Sequence, residues 1–171
     1  MHQVHVALFV PGAPPGEVFD SLSDFASFPR YTDVVHSVLL EESADGDQNS
    51  PSDPDSSSDR ISSWEVDFAG GILKWRERDR LDEQRLRIEF ELIDGDLLDL
   101  AGHWSVAPLG EGSTVRFDAR FDLGVPGMAD LLEPVAGRAM TSTVSEMLRG
   151  VFGPSADVTA CGDMPHAASG G

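Results

Sequence analysis

Apolar and polar residues alternate along most of the chain, which is typical of β-strands that bury one face. The connections between the later strands are short and carry turn residues, such as Gly70-Gly71 and Asp94-Gly95-Asp96. We therefore expect the later strands to form an antiparallel meander. The alternation predicts strands at residues 2–10, 34–41, 60–68, 72–81, 85–93, 98–107 and 113–123.

Two segments have helical periodicity instead. Between the first two strands, Val18, Phe19 and Leu22 share one helical face, and a second short turn at residues 24–28 ends at Pro29. From Pro126 to about Phe152 the apolar residues again recur at helical spacing. The predicted apolar face of this long helix consists of Met128, Leu132, Val135, Ala139, Thr143 and Met147.

The order of these elements predicts an α+β fold. A curved antiparallel sheet of about seven strands would wrap around the long C-terminal helix, with two short helices after the first strand. Pro134 lies inside the long helix, so we expect a kink there or the start of a second helix. Residues 1–152 would form one domain, since 171 residues suit a single core.

Two segments do not fit the periodic pattern. Residues 43–59 belong to an acidic stretch rich in Ser and Pro, and we expect a disordered insertion there because it offers little apolar surface to bury. Residues 153–171 are expected to form a flexible tail.

The formal net charge of −18 argues against nucleic acid or an anionic membrane as the main partner. No apolar run reaches the roughly 18 residues that a membrane span requires. The first ten residues read as a strand and not as a signal peptide. The single cysteine, Cys161, cannot form an internal disulfide, which fits a cytoplasmic protein.

The strand alternation assigns residues to the two faces of the sheet. Arg76, Arg78 and Arg120 fall on the polar face, where we expect them to pair with acids from neighbouring strands. The other face meets the long helix. It collects the aromatic residues Trp64, Trp75, Phe90, Trp104 and Phe117 together with aliphatic side chains, among them Leu98 and Leu100.

Glu77 breaks this apolar row. By alternation it projects inward beside Trp75, and a buried carboxylate must be paired, hydrated or protonated. In a dry cavity its pKa would rise, and Glu77 could act as a general acid or base. The alternative is that Glu77 lies at the strand end and meets water or an arginine, and Asp79 is expected to be solvated.

The inward aromatic residues also admit two interpretations. They form either a solid core or the wall of a pocket, because flat aromatic surfaces suit flat ligands. Tyr31, Arg138 and Thr143 are candidates for polar contacts with such a ligand. The histidines lack metal-ligand spacing, and neither a phosphate-binding glycine loop nor a nucleophile motif is found, so we expect no cofactor and no metal.

With these residues assigned, the sequence resembles the START/birch-pollen-allergen-like superfamily, whose members have the helix-grip fold. Within it, the likeness is to the polyketide cyclase/dehydrase and coenzyme-Q-binding group, and it extends over residues 3–152. The stretches that carry it are "VFDSLSDFASFPRYTDVV" (18–35), "WEVDFAGGILKWRERDRLD" (64–82), "GDLLDLAGHWSV" (95–106) and "VRFDARFDLGVP" (115–126).

The resemblance implies a deep apolar cavity between sheet and helix, and a polyketide cyclase with aromatase or dehydratase activity as one function. In that hypothesis Glu77 moves a proton, and Tyr31 or an arginine stabilises the enolate. The alternation places no arginine on the inner face, so Arg30 and Arg138 are the candidates. The substrate-binding residues would be Trp64, Trp75, Phe90, Trp104, Phe117, Arg138, Thr143 and Met147.

Two other functions of the same fold stay open. One is a non-catalytic carrier of a quinone, lipid or polyketide, and the other is a protein-interaction module. The expected partner is a hydrophobic, polyketide-like small molecule. An acyl carrier protein is a further candidate, and we expect a monomer or a homodimer.

Overall fold

The computed structural model describes the backbone of residues 2–42, 58–68, 71–123 and 129–163, and the side chains of 3–41, 59–68, 71–123 and 135–158. The strands are β1 (His2–Val10), β2 (Val35–Glu42), β3 (Ser58–Phe68), β4 (Gly71–Asp82), β5 (Arg87–Gly95), β6 (Asp99–Leu109), β7 (Gly112–Asp122) and β8 (Asp157–Asp163). The helices are α1 (Pro15–Ser23), α2 (Phe28–Tyr31) and α3 (Ala129–Phe152), and a 3₁₀ turn at Phe25–Ser27 joins α1 to α2.

The described strands form one curved, unclosed sheet in the order β2-β3-β4-β5-β6-β7-β1-β8. All neighbouring strands are antiparallel, and β2 to β7 follow one another in chain order, which confirms the meander. The α+β helix-grip fold is also confirmed, with eight strands in the described sheet where about seven were expected.

The additional strand, β8, corrects the prediction of a flexible tail for residues 157–163. It pairs with β1, for example Ala160 with Ala7. The sequence "DVTACGD" has too few apolar residues to alternate, so no strand was predicted there. Residues 164–171 lie outside the described residues.

The start of β3 corrects the boundary of the predicted insertion. Ser58 and Asp59 pair with Leu81 and Arg80 of β4, so these two residues belong to the sheet. The rest of that segment, residues 43–57, lies outside the described residues, as does Pro126. This boundary matters for the site, because it brings residue 60 opposite Asp79.

Helix α3 packs against the inner face of the sheet as one helix, and not as two separated at Pro134. Gly153 ends it: its φ is +87°, and its N–H donates to the carbonyl of Arg149 at 2.9 Å. The buried side chains are shifted from the predicted face, since Val135 is 50% exposed. The buried face consists of Ala136, Met140, Thr143, Val144, Met147 and Leu148.

The short helices close one side of the core. Val18, Phe19 and Leu22 of α1 are buried as predicted, and so are Phe25 and Phe28. The Phe25 ring meets the Trp64 indole edge-on, with the ring centres 4.9 Å apart. These aromatic contacts fix the 3₁₀ turn beside β3.

One inward assignment on the sheet is wrong. Leu98 is 68% exposed, whereas Leu97 is buried. Strand β6 begins only at Asp99, so strand alternation does not apply to these two residues. The polar face is confirmed, since Arg76 pairs with Asp94 at 2.9 Å and Arg120 with Asp99 at 3.8 Å.

Candidate functional site

A small cavity lies between the inner face of the sheet and α3. Its volume is about 40 Å³, enough to admit a water molecule, which needs at least roughly 10–15 Å³. Pockets that hold drug-sized ligands measure about 300–1,000 Å³, so the cavity is nearly closed in this conformation. Its lining consists of Trp64, Val66, Trp75, Glu77, Phe90, Leu100, Trp104, Phe117, Met140, Thr143, Val144 and Met147.

Aromatic rings form most of the sheet side of the cavity. Trp64 and Trp75 are cross-strand partners whose indoles stack with a centre-to-centre distance of 5.8 Å and an angle of 3°. Phe90 and Phe117 also stack, at 5.7 Å, and Trp104 lies 4.5 Å from Phe117. Such walls favour flat apolar ligands over polar ones.

Among the described residues that line the cavity, Glu77 is the only one with a carboxyl, and it is 3% exposed. The indole Nε1 of Trp75 donates a 2.7 Å hydrogen bond to its Oε2. The hydroxyl oxygen of Ser62, the cross-strand partner, lies 3.4 Å from its Oε1. The side chain is therefore held at the cavity wall from two directions.

Asp79 lies behind Glu77 and is fully buried, so the prediction of a solvated Asp79 is wrong. The Ser62 hydroxyl donates a 2.5 Å hydrogen bond to its Oδ2, and the indole Nε1 of Trp64 donates to the Ser62 oxygen at 2.9 Å. Alternation continues to the end of β4, and β3 runs beside it to Ser58. Asp79 is buried because it continues the inward alternation of Trp75 and Glu77 and lies opposite Arg60 of β3.

Arg60 is an inward arginine that the sequence-based assignment missed. It is the cross-strand partner of Asp79, with its Nε 3.8 Å from the Asp79 Oδ2. Its guanidinium lies 4.5 Å above the Phe25 ring, and its side chain is 19% exposed. Arg60 shares the alternation of Ser62 and Trp64, but it directly follows the acidic segment, where a strand end was expected.

The pKa values of the two buried carboxyls are both raised. Burial is the largest cause for Glu77, whose pKa lies well above 4.5, and the charge of Asp79 and a hydrogen bond between the two carboxyls add to it. Burial also raises the pKa of Asp79, while its hydrogen bonds with Glu77 and Ser62 and the charge of Arg60 oppose this. Burial therefore favours the protonated form of both carboxyls, and the shift is the stronger one at Glu77.

An open cleft of about 590 Å³ adjoins the cavity. It lies between the β3–β4 hairpin and α3, and Thr143 lines both spaces. The Thr143 hydroxyl donates a 2.9 Å hydrogen bond to the backbone carbonyl of Asp67, which joins helix and hairpin. The other residues lining the cleft are Val34, Asp67, Phe68, Gly71, Ile72, Ala139, Ser142 and Glu146.

The structure brings most of the predicted site residues together. The residues at the cavity are Glu77, Trp64, Trp75, Phe90, Trp104, Phe117, Thr143 and Met147. Their roles with a ligand stay predictions.

Three candidates are placed elsewhere. Tyr31 is 56% exposed, because the short helix α2 buries Phe28 instead. Arg138 is exposed, since it lies between the buried Ala136 and Met140 on the opposite side of α3. Arg30 is exposed on α2. None of the three lines the cavity, which corrects the predicted roles of Tyr31 and Arg138 there.

Within the described ranges, no helix is both long enough and apolar enough to cross a membrane. Nor does that part of the chain contain a group of three or more His, Cys, Asp or Glu side chains arranged to hold a metal ion.

A comparison with known protein families shows the family to which the chain belongs. Residues 11–148 match the family described as "Polyketide cyclase / dehydrase and lipid transport". The chain belongs to this family. The match confirms the resemblance to the START-like superfamily, and it is consistent with either cyclase-like chemistry or binding of a hydrophobic ligand. No curated protein sequence matches significantly.

Solved structures show the same fold as this polyketide cyclase/dehydrase family member. The protein TTHA0849 from Thermus thermophilus has a TM-score of 0.74 at 24% identity, over 88% of this chain and 94% of that one. The Zhui aromatase/cyclase from a Streptomyces species has a TM-score of 0.68 at 18% identity, over 90% and 94%. A START superfamily protein from Mycobacterium smegmatis has a TM-score of 0.66 at 18% identity, over 88% and 96%.

Proposed function

We propose that the protein is a cofactor-independent cyclase that binds a poly-β-keto or related hydrophobic intermediate between the sheet and α3. The observation that carries this proposal is Glu77, a buried carboxyl held on the wall of an otherwise apolar, aromatic cavity. The family match and the likeness to an aromatase/cyclase support the same direction.

The proposed chemistry is an intramolecular aldol step. Glu77 donates its proton to the carbonyl oxygen of the ligand as the new carbon–carbon bond forms, and a proton leaves the enolisable carbon for the Glu77–Asp79 pair. The pair therefore ends with as many protons as it held at the start. A buried carboxyl with a raised pKa holds its proton more readily and suits both transfers. The aromatic walls would fold the chain and reduce the entropic cost of ring closure.

Binding requires the interior to open, since about 40 Å³ does not hold such a molecule. The adjoining cleft provides the space, and the Thr143–Asp67 hydrogen bond is the contact that must yield for the two spaces to join. Met140 and Met147 on α3 are unbranched and adapt readily to a new neighbour. We propose this route for entry.

Filling the cavity tests whether the ligand binds there. Val144 lines the cavity, and Val144→Phe is expected to weaken binding of the uncharged ketone 2-acetylnaphthalene at least about tenfold, since the added ring occupies the same space. The measurement is the change in tryptophan emission, as Trp64, Trp75 and Trp104 all line the cavity. Val135→Phe, at an exposed position of the same helix, is the matched control and should bind like the natural protein. Equal binding by both variants would place the ligand elsewhere.

A non-catalytic carrier is the second candidate. One observation favours it: the Trp75 indole already donates a hydrogen bond to the Glu77 Oε2, so this carboxyl has a protein partner without a ligand. A carrier would bind the same molecules with no need for proton transfer. The two candidates predict different results for a substitution of Glu77. A cyclase would lose turnover and keep its affinity for the ligand, whereas a carrier would keep its affinity and has no turnover to lose.

The charge around the cleft does not favour an acyl carrier protein as the donor. Asp67 and Glu146 line the cleft, and the chain has a formal net charge of −18. Carrier proteins are usually acidic, so like charges would oppose their approach. We therefore propose a free ligand, and the single cysteine supports a cytoplasmic setting for the reaction.

A further inference from the structure

The cavity and the cleft share a chemical feature: no Lys, Arg or His is among the residues that line either space in the described part of the chain. Ten of the twelve cavity residues are apolar or aromatic, and the other two are Glu77 and Thr143. The cleft adds the acids Asp67 and Glu146. A ligand that enters by this route meets carboxyls and hydroxyls, but no cation.

Arg60 does not supply the missing cation. Its guanidinium lies over Phe25 and faces Asp79, behind Glu77, and Arg60 is not among the cavity-lining residues. His36 near the cleft is likewise paired, with its Nε2 2.5 Å from the Asp67 Oδ1. Both side chains are thus directed at protein carboxylates.

The buried charged groups lie together behind the cavity wall. The Arg60 Nε is 3.8 Å from the Asp79 Oδ2, and burial raises the pKa of both Glu77 and Asp79, which favours their uncharged forms. A neutral ligand leaves this arrangement intact. An anion would enter an apolar space with no counterion, and a cation would enter beside a carboxyl pair that is already compensated.

We propose that the cavity selects uncharged ligands: an aromatic or polycyclic body with carbonyl or hydroxyl groups, and not a molecule with a carboxylate, phosphate or ammonium group. This inference rests on the proposed function, because it concerns the ligand of the same cavity. A carbonyl oxygen at Glu77 accepts a proton or a hydrogen bond, and a second oxygen can meet the Thr143 hydroxyl. Free fatty acids and phospholipids are excluded by the same argument.

Three probes with one naphthalene body test the proposal: 2-acetylnaphthalene, 2-naphthoate and 2-naphthylmethylammonium. Tryptophan emission gives the dissociation constant of each at neutral pH. We expect the ketone to bind at least about tenfold more tightly than either ion, because only the ions must be desolvated without a partner. Equal or tighter binding of an ion would overturn the inference and leave the proposed function standing. Failure of all three probes to bind would overturn both.

A pair of lysine substitutions on α3 gives a second test. Thr143→Lys adds a cation at the cavity wall. The ratio of the dissociation constants of 2-naphthoate and 2-acetylnaphthalene, which measures the discrimination against the anion, should fall at least about tenfold. Ser142→Lys adds the same charge at the neighbouring exposed position, which lines only the cleft, and should change the discrimination less than about threefold. Equal effects of both lysines would contradict selection at the cavity wall. The comparison of probes on the natural protein stands even if Thr143→Lys does not fold.

Discussion

Glu77→Gln is expected to lower the rate of ring closure about 10²- to 10⁴-fold, the usual contribution of a positioned general acid or base. Glutamine has nearly the same shape and still accepts the hydrogen bond of the Trp75 indole, but it cannot release or take up the proton. The affinity for an uncharged ligand should therefore stay within about threefold of the natural value. The rate is measured as the cyclic β-hydroxyketone formed from a synthetic, uncharged poly-β-ketone, together with any dehydrated product that follows from it.

Glu91→Gln is the control, since Glu91 is exposed on the polar face of β5 and should keep the full rate. A Glu77→Gln protein that retains more than about half of the rate would remove Glu77 from the mechanism. A natural protein that binds the ketone without any turnover would instead favour the carrier.

Arg60→Met is expected to lower the free energy of unfolding by about 3 kcal/mol, because it leaves the negative charge of the Glu77–Asp79 pair buried without its counterion. We take the lower end of the usual range, since the Nε–Oδ2 distance is 3.8 Å and the arginine side chain keeps 19% exposure. Urea denaturation at neutral pH gives the free energy.

The double variant Arg60→Met/Asp79→Asn should recover most of this loss. Asparagine still accepts the Ser62 hydroxyl through its side-chain oxygen, and it needs no counterion. Arg78→Met, on the exposed face of the same hairpin, should change stability by no more than about 0.5 kcal/mol. A double variant as unstable as the single one would show that packing of Arg60 on Phe25, and not charge, is what the substitution removes.

Alternation was sufficient to find the sheet and Glu77, because each side chain on a regular strand points to a face fixed by its position. Alternation failed near the ends of strands, where the strand boundary decides which side chains are buried. Arg60 is the first residue of the predicted strand and directly follows the acidic segment, so neither its inward position nor its place opposite Asp79 was predicted. Leu97 and Leu98 show the same effect at the start of β6.

Helical periodicity predicted where α3 lies in the sequence, but not which face of the helix is buried against the sheet. Val135 and Met140 are both apolar, yet only Met140 is buried, since the sheet decides which side of the helix is covered. Tyr31 was predicted at the site from its type, and α2 is too short to bury both Phe28 and Tyr31. A sequence pattern does not predict the volume of the cavity either, because alternation indicates which rings face inward but not how closely they pack.

The most direct test of the account is the ionisation of Glu77 in the folded protein. Carbon-13 NMR of the side-chain carboxyls can follow it, and loss of the signal in Glu77→Gln assigns it. We predict a midpoint well above 4.5 that is coupled to the titration of Asp79, because burial disfavours the charged form. A Glu77 signal whose midpoint is 4.5 or lower would contradict the proposed proton transfer.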